Sequence, residues 1–431
     1  MKTPSLPAVH RSVPVPATAS FFKKLLAFSG PGYLVAVGYM DPGNWATNLA
    51  GGSTFGYSLL FVVLLANGFA ILLQHLAVKL GIVTGRDLAQ LCRDVFPKSI
   101  TIFLWLMAEF MIIACDLAEV IGTAIALELL FHIPLPIGVV ITAADVLVLL
   151  LLQKRGFRYL EAVIIALIAA VVLCFTLELL FAQPAIAPLM HGFAPTTELF
   201  TNQQMLLLAV GILGATIMPH NLYLHSAIVQ TRAHDKTMAG KREAIKFATI
   251  DSTIALSIAC FVNIAMLVLA AATFYAHGHG EVVEIGDAYK LLAPLLGVSL
   301  ASILFAVALL ASGQNSTVTA TLAGQVILEG FLDIHLQPWI RRVVTRGLAI
   351  IPAACIALIC GGSGLGKLII LSQVALSIQL PFAILPLVFF TSSKRWMGAW
   401  VNPVWLTATA SVIAVGIGGL SVWLVRTIIS Q

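Results

Sequence analysis

Charged residues are scarce in this chain. Only 10% of its 431 residues are Asp, Glu, Lys or Arg, whereas 60% are hydrophobic and the mean hydropathy is +1.01. A water-soluble globule cannot bury so large an apolar fraction, and several apolar runs exceed the roughly 20 residues that a helix needs to cross a bilayer. The sequence therefore predicts an all-α polytopic membrane protein.

Motifs that would mark an enzyme or a nucleotide site are also missing. No H-E-x-x-H or G-x-S-x-G string occurs, so no intramembrane hydrolase is indicated. Residues 361–367 fit G-x-x-x-x-G-K, but Leu368 replaces the required Ser or Thr and no strand precedes the segment. The cysteines lack the close pairs of a zinc or redox site and are interpreted as packing residues; they are Cys92, Cys115, Cys174, Cys260, Cys355 and Cys360.

The first twenty residues lack the apolar stretch of a signal peptide. They carry four prolines among small polar residues, a composition typical of disorder. We therefore expect residues 1–22 to form a disordered cytoplasmic tail.

The apolar runs predict eleven membrane-spanning helices. They lie at about 25–50, 56–78, 100–127, 136–152, 159–181, 203–229, 248–275, 291–320, 343–360, 367–391 and 401–425. With the N-terminus in the cytoplasm, 21 of the 24 basic residues fall in cytoplasmic segments, and only Lys290, Lys367 and Arg426 fall outside them. This asymmetry supports the span count and places the C-terminus outside. The net charge of +5 then reflects membrane orientation, and no nucleic-acid binding is indicated.

Two apolar spans are interrupted near their middle, at Asp41-Pro42-Gly43-Asn44 and at Met218-Pro219-His220-Asn221. Five spans separate the breaks, so the chain can be divided into two inverted five-helix repeats, 23–183 and 203–392, followed by an eleventh helix at 400–427. Matched breaks of this kind indicate a secondary transporter whose substrate site lies between them. The alternative is a pair of proline kinks without a ligand.

The residues at the breaks suggest a metal site. Asp41 and Asn44 are three apart, so their oxygens can share a cavity, and Pro219 can free the carbonyl of Ala215 or Thr216. Because calcium and magnesium prefer shells of oxygen alone, the thioether of Met218 favours manganese, iron, cobalt or cadmium. Two alternatives remain open, namely a surface turn at Asp41 and simple apolar packing of Met218.

Polar residues in other spans add to this picture. Glu109, Asp116 and Glu119 share one face of the third span and indicate a proton relay or an aqueous path. Candidate basic partners lie on the sixth span and at the start of the ninth; they are His220, His225, Arg232, Arg341 and Arg342. Glu109 alone could instead snorkel, and His220 could merely cap groups freed by Pro219. Gln373 either joins helices or faces the substrate.

The segment at 41–44, the stretch Gly214–Ser226 (GATIMPHNLYLHS) and Asp116-Leu117-Ala118-Glu119 resemble the Nramp family of divalent metal transporters. The resemblance covers the chain from about Phe28 to its end. It implies a LeuT-type fold and proton-coupled import of manganese or ferrous iron through a bacterial inner membrane, and the lipid bilayer, protons and metal ions are the expected partners. No resident cofactor is expected, because the metal is cargo.

The resemblance also implies roles for individual residues. Asp41, Asn44 and Met218 become side-chain ligands of the metal, and Ala215 supplies a carbonyl. Gln373 is similar to a position that approaches the metal in some states, and Gly38 stands where relatives can have an alanine that supplies a carbonyl. Together, the residues and the resemblance predict a proton pathway that comprises Asp41, Asp116, Glu119, His220, His225, Arg232, Arg341, Arg342 and Glu109.

Cys115 departs from the family pattern, because relatives can have threonine there. Two other classes of protein remain open from the residues. A divalent cation channel could use the same ligands, and an organic-substrate carrier of the same fold would have no use for Met218.

Overall fold

A computed structural model describes residues 4–16, 19–144, 155–280, 282, 284–335, 340, 344, 347–355 and 364–429. Almost all of the regular structure is helical. In chain order the helices are α1 (Phe21–Phe28), α2 (Pro31–Ala36), α3 (Pro42–Phe55), α4 (Leu60–Thr84), α5 (Leu88–Val95), α6 (Lys98–Phe131), α7 (Leu135–Ile141), α8 (Phe157–Ala182), α9 (Ile186–His191), α10 (Gln203–Thr216), α11 (Pro219–Ile228), α12 (Met238–Thr273), α13 (Ile285–Leu296), α14 (Ser299–Leu332), α15 (Leu365–Thr391), α16 (Lys394–Met397) and α17 (Val404–Ile429).

Eight segments of the described chain are long and apolar enough to cross a membrane. They correspond to the second, third, fifth, sixth, seventh, eighth, tenth and eleventh predicted spans. The first predicted span is present but broken, whereas nearly half of the fourth and nearly half of the ninth lie outside the described residues. In the sixth span 94% of the most apolar window is buried, against 33% in the fifth and eleventh. The sixth span is therefore central, and the other two are left to face lipid.

The first span is broken in its middle. Helix α2 ends at Ala36, a 3-10 turn covers Val37–Met40, and α3 begins at Pro42. Pro42 stands at the first position of α3, where the missing N–H would have no partner in any case. The carboxylate of Asp41 accepts a hydrogen bond from the backbone N–H of Asn44 at 2.8 Å, so Asp41 is the N-cap of α3.

The sixth span is broken in the same way. Helix α10 ends at Thr216, Ile217 and Met218 are not helical, and α11 begins at Pro219. Pro219 has no N–H to donate to the carbonyl of Ala215, and its ring drives Met218 out of the helical region, to ψ 117°. Both predicted interruptions are confirmed.

The eighth span begins later than predicted. The prediction of 291–320 joins the end of α13 to α14, which begins at Ser299 and continues to Leu332. Gly297 has a φ of 68° and ends α13. A residue in this left-handed conformation is a common way to end a helix, and it separates the two segments.

The N-terminal tail differs from the sequence prediction. We predicted disorder over 1–22, but strand β1 (Val13–Pro14) pairs in parallel with strand β2 (Arg232–Ala233). The backbone N–H of Leu6 donates to the Glu329 carboxylate at 2.8 Å, and the Leu6 side chain is buried. Residues 4–16, which we call the N-terminal strap, therefore lie against strand β2 and the end of α14. Composition alone missed this because the strap bonds to partners more than 200 residues away.

Candidate functional site

The two helix breaks meet through Asn44. Its side-chain Nδ2 donates to the Asp41 carboxylate at 2.8 Å, to the carbonyl of Ala215 at 3.0 Å and to the carbonyl of Gly38 at 3.3 Å. Three oxygens that the sequence assigns as metal ligands thus converge on one amide group. A cation at that position would meet the same oxygens.

Met218 and Gly38 lie side by side across the two breaks. A Cβ built on Gly38 would stand 3.2 Å from the Met218 sulfur and closer still to the Asn221 amide. The absence of a side chain at Gly38 therefore allows the sulfur and the amide to approach the first break. Met218 itself is fully buried.

Gln373 lies against the start of α3. A Cβ built on Gly43 would overlap the side-chain amide of Gln373, so the two residues are in direct contact. The amide nitrogen of Gln373 donates to Ser372 at 3.0 Å. Gln373 is therefore beside the site and does not serve only as a link between distant helices.

Several acceptor atoms around the breaks have no hydrogen-bond partner among the described residues. They are Asp41 Oδ2, Gln373 Oε1 and Asn221 Oδ1, and all three side chains are fully buried. Buried acceptors without a donor are rare in native proteins and call for an explanation. A cation bound between the breaks would supply one.

Asn221 is the residue of this group that the sequence prediction omitted. It stands in the second interrupted segment, three residues after Met218, and its Nδ2 donates to the carbonyl of Val35 at 3.3 Å. A buried amide next to a proline break was the available signal.

The ligand set is poor in anions. Among the described residues, no group of three or more His, Cys, Asp or Glu side chains could hold a metal ion. A metal between the breaks would therefore depend on one carboxylate, amide oxygens, backbone carbonyls and a thioether. A site with a single anionic ligand favours an ion that is released again over one that is held permanently.

The site is closed to solvent. Asp41, Asn44, Ala215, Met218 and Gln373 each have an exposed fraction of 0%. Both breaks are thus covered on either side in this conformation.

Two acids of α6 lie near the breaks. Glu119 is fully buried, accepts a hydrogen bond from Thr317 of α14 at 3.3 Å, and is close enough to Asp41 for their charges to interact. Asp116 is likewise fully buried and its charge acts on His220. Each acid therefore lies near a residue of one of the two breaks.

Glu109 and Cys115 occupy the same helix. Glu109 is only half-buried and accepts a hydrogen bond from the Trp105 indole at 3.1 Å. Cys115 donates to Glu119 at 3.7 Å through its sulfur.

His225 belongs to a different network. Its Nδ1 lies 2.9 Å from Gln74 Oε1, and Gln74 Nε2 donates to the Tyr39 hydroxyl at 2.7 Å. This chain links α11 to α4 and to the first break. The sequence prediction did not include Gln74 or Tyr39, although an amide inside an apolar span was a visible signal.

The structure corrects the predicted partner of Arg232. Its guanidinium binds both carboxylate oxygens of Glu161 on α8, at 2.7 and 3.1 Å, and also donates to the carbonyls of Ser29 and Ala27. Arg232 lies beyond the end of α11, in strand β2, so it pairs with a group at that end of the bundle and not with Asp116 or Glu119. Arg341 and Arg342 lie outside the described residues.

A second acid stands at the same end. Asp251 of α12 accepts hydrogen bonds from the backbone N–H groups of Gly32 at 2.7 Å and of Gly30 at 3.3 Å. Gly30 has a φ of 138° and leaves no room for a side chain beside Glu161, which makes it a fixed bend between α1 and α2. Glu161 and Asp251 were missed by the sequence prediction, although acids inside apolar spans are functional candidates by default.

Comparisons with known proteins agree with this architecture. The family model described as natural resistance-associated macrophage protein-like (Nramp) matches residues 32–427. A divalent metal cation transporter MntH from Nostoc sp. is 60% identical over 421 residues, which cover 98% of this chain and 95% of that protein. An MntH from Listeria monocytogenes serotype 4a is 56% identical over 421 residues, with coverage of 98% and 94%. Both relatives are transporters, which confirms that the chain is not an enzyme.

Solved structures give the same result. A manganese transporter of Eremococcus coleocola, in complex with an aromatic bis-isothiourea compound, matches with a TM-score of 0.89 and 41% identity, over 97% of this chain and 90% of that one. The inward-facing conformation of Mhp1 matches with a TM-score of 0.58 and 16% identity, over 99% and 94% of the two chains. The second likeness concerns the fold alone, and it confirms the predicted LeuT-type architecture.

Proposed function

The chain belongs to the Nramp family. From this membership and the geometry of its helix breaks, we propose that it imports divalent transition-metal ions, above all manganese or ferrous iron, and that a proton gradient drives this import. Cobalt and cadmium are further substrates in this proposal. The ion is cargo, and no resident cofactor is required. The single observation that carries the proposal is the convergence of the Asp41 carboxylate and the carbonyls of Gly38 and Ala215 on one buried amide, with the Met218 sulfur alongside.

Asn44 has two roles in this proposal. Without an ion, its NH₂ group holds the three oxygens together. When a dication takes that position, the amide turns so that its oxygen faces the ion, because an N–H donor cannot bind a cation. The amide thus keeps the empty site assembled and becomes a ligand of the loaded site.

The chemistry of the ligands supports selection of transition metals. Magnesium sheds water reluctantly and prefers an octahedral shell of oxygen, and calcium takes six to eight oxygens. A thioether adds nothing for those ions but is a good ligand for softer ones. Met218 therefore favours manganese, iron, cobalt and cadmium over the more abundant alkaline-earth ions.

Proton coupling is the second part of the proposal. A carboxylate binds a metal in its deprotonated form, so arrival of the ion displaces any proton held by Asp41. Glu119 interacts electrostatically with Asp41, and Asp116 with His220. These acids offer the displaced proton a path from the site along α6.

Alternating access completes the cycle. The Arg232–Glu161 pair and the N-terminal strap hold one end of the bundle closed. Release of the ion on that side requires these contacts to open, while the outer ends of α3 and α10 close. A ligand moves such an equilibrium only by binding one state more tightly than the other.

The distribution of basic residues sets the orientation. We infer that the N-terminus and the Arg232–Glu161 pair face the cytoplasm, that the C-terminus is outside, and that the membrane is a bacterial inner membrane. Acidic residues of the outer connection between α12 and α14, such as Glu284 and Asp287, then attract cations to the outer surface; Glu281 belongs to the same connection and lies outside the described residues.

Uptake into proteoliposomes tests the proposal. Purified protein is reconstituted, and uptake of manganese, iron, cadmium, calcium and magnesium is measured while internal pH is recorded. We expect manganese to accumulate against its gradient when the outside is acidic, together with internal acidification. Movement of metal that no pH difference can drive against a gradient, with single-channel currents, would instead identify a channel. Calorimetric binding of an amino acid, without binding of manganese, would identify an organic-substrate carrier.

A further inference from the structure

A cavity of about 230 Å³ lies at the cytoplasmic end of the bundle, apart from the helix breaks. Three parts of the chain line it: the N-terminal strap, the last turn of α4 around Gly81–Gly85, and the connection from α11 to α12 together with the first turn of α12. It touches the metal-transport machinery only through Arg232, which is already paired with Glu161.

The cavity is strongly basic. Its lining includes Arg11, Lys236 and Lys241 besides Arg232, and no Asp or Glu is among the described residues that line it. Arg11 donates to the backbone carbonyl of His234 at 2.8 Å, and Lys241 donates to that of Val83 at 2.8 Å. Each of these bonds goes to a neutral carbonyl, so it leaves the positive charge of the side chain in place.

The positive charge of the cavity affects the pKa of two histidines. Burial lowers the pKa of His10 first of all, and the charges of Arg11 and Lys236 lower it further. Burial also lowers the pKa of His234, and Arg11 and Lys241 add to that effect, against the opposing hydrogen bond and charge of Asp235.

The neighbouring acids bind partners outside the cavity. Asp235 is fully exposed and accepts hydrogen bonds from the backbone N–H and the hydroxyl of Thr237, at 3.1 and 2.9 Å. Glu243 pairs with Lys24 at 2.5 Å. Neither of these carboxylates is among the described residues that line the cavity, so its lining carries positive charge and no negative charge.

We propose that this cavity binds a phosphate-type anion, held by Arg11, Lys236 and Lys241. Arginine offers a planar fork of donors to phosphate oxygens, and lysine acts as a compact point charge. At roughly 30 Å³ per water, the volume accommodates a phosphate group with several waters. The phosphate can be free in the cytoplasm or can be the headgroup of an anionic lipid, because the chemistry that recognises the two is the same.

Binding would link three parts of the chain that have to separate. The strap, the end of α4 and the connection from α11 to α12 surround the Arg232–Glu161 pair, which holds the cytoplasmic side closed. An anion that bridges them stabilises the closed state, so it slows metal release. This consequence depends on the proposed transport function, whereas anion binding itself does not.

Thermal unfolding of the full-length purified protein measures binding without reference to transport. Inorganic phosphate is compared with chloride at equal ionic strength, in detergent, for the wild type and for Lys236→Gln and Lys241→Gln. Lys236 is exposed, with no hydrogen bond or ion pair recorded among the described residues, so Lys236→Gln is expected to fold normally. Lys394→Gln is the matched control, since it removes the same charge from an exposed position on the same side.

We expect phosphate to raise the unfolding midpoint of the wild type and of Lys394→Gln by about 2 °C or more, and Lys236→Gln and Lys241→Gln to lose at least half of that shift. A parallel series in nanodiscs of phosphatidylcholine, with and without phosphatidylglycerol, separates the two sources. A shift with phosphatidylglycerol alone, lost in the same two variants, assigns the site to a lipid headgroup. Equal shifts in all four proteins, or no shift with either probe, would overturn the proposal.

Discussion

The two helix breaks differ in how their backbone carbonyls are bonded. In the first break and the last turn of α2, side chains from several helices donate to five backbone carbonyls: Thr319 to Leu34, Asn221 to Val35, Asn44 to Gly38, Asn263 to Tyr39 and Ser312 to Met40. In the second break, the carbonyl of Ala215 accepts its bond from Asn44, which belongs to the first.

This contrast suggests a division of labour. The first break is attached to α12 and α14 and forms a fixed cradle, whereas the second is attached to the first through the residues of the site itself. An ion bound between the two breaks therefore contributes more to the position of the second break than to the position of the first. Occupancy can then be transmitted to α11 and onward to Arg232 at the cytoplasmic end.

Removing the charge of the fixed cradle should have the largest effect. Asp41→Asn keeps an acceptor for the N–H of Asn44 and so preserves the N-cap of α3, but it removes the anionic ligand and the proton acceptor. We expect manganese uptake to fall by more than the roughly 10- to 100-fold that loss of a supporting residue costs at a metal site. Uptake assays and unfolding midpoints are measured together, and an active Asp41→Asn protein would remove the proposed site.

The second break should decide which ion is carried. Met218→Leu conserves volume while removing the sulfur, so packing of α11 is retained. We expect cadmium uptake to fall about 10-fold, which corresponds to about 1.4 kcal/mol, manganese uptake to fall less, and any calcium or magnesium leak to stay unchanged. Competition assays with each ion provide the measurement. Equal losses for all ions would show that the sulfur does not select.

The contact between the first break and Gln373 can be tested with two glycines of the same helix. Gly43→Ala would place a Cβ on the Gln373 amide, whereas Gly51→Ala would meet only Leu59 at 3.1 Å and two more distant methyl groups. Alanine is the better helix former at both positions, so unfolding is not expected. We expect kcat/KM for manganese to fall about 3- to 10-fold in Gly43→Ala, because small displacements at a binding site are costly. Gly51→Ala is the control, and equal activity of the two variants would remove Gln373 from the site.

Loss of a hydrogen bond that attaches the first break to α14 should lower the stability of the protein more than its transport activity. Ser312 donates to the carbonyl of Met40 and accepts from the Trp45 indole at 3.2 Å, while the Ser316 hydroxyl donates to the carbonyl of Gly313 in its own helix. Both serines are 2% exposed. Ser312→Ala should cost about 1–3 kcal/mol of unfolding free energy, because a buried acceptor and donor lose their partner. For Ser316→Ala we expect a change within about 0.5 kcal/mol, and denaturant titrations that give the two variants the same stability would contradict the fixed cradle.

The outer side of both breaks should give the smallest effect. A cavity of about 210 Å³ is lined by α3, α10 and α15 on the side away from the strap, and it includes the exposed residue Lys367. A positive charge there opposes the approach of a cation. Lys367→Gln should lower the KM for manganese about twofold at low ionic strength and leave it unchanged at high salt, because salt screens exposed charges. A change that persists at high salt would point to a direct structural effect.

The sequence supported the main outline because membrane solvation imposes simple rules. The length of the apolar runs predicted the spans. Pro42 and Pro219 marked the two breaks, since a proline lacks the backbone N–H and so removes a hydrogen bond from any helix. The start of the eighth span was wrong because Gly297 interrupts an apolar run without changing its hydropathy. The packed strap was also missed, since its bonds to Arg232 and Glu329 are unrelated to its composition.

The membrane as solvent, the helices, the two breaks and the kinds of ligand at each break could all be predicted from the order of the residues, because they follow from local chemistry along the chain. Which side chains pair with one another depended on how the helices pack. In the folded chain Asn44 donates a hydrogen bond to the carbonyl of Ala215, 171 residues away, and Arg232 pairs with Glu161 and not with the acids of α6. Charge and spacing along the chain cannot predict such pairs, because packing determines which distant helices become neighbours. Only the packed bundle places an amide, a sulfur and a carboxylate around one point.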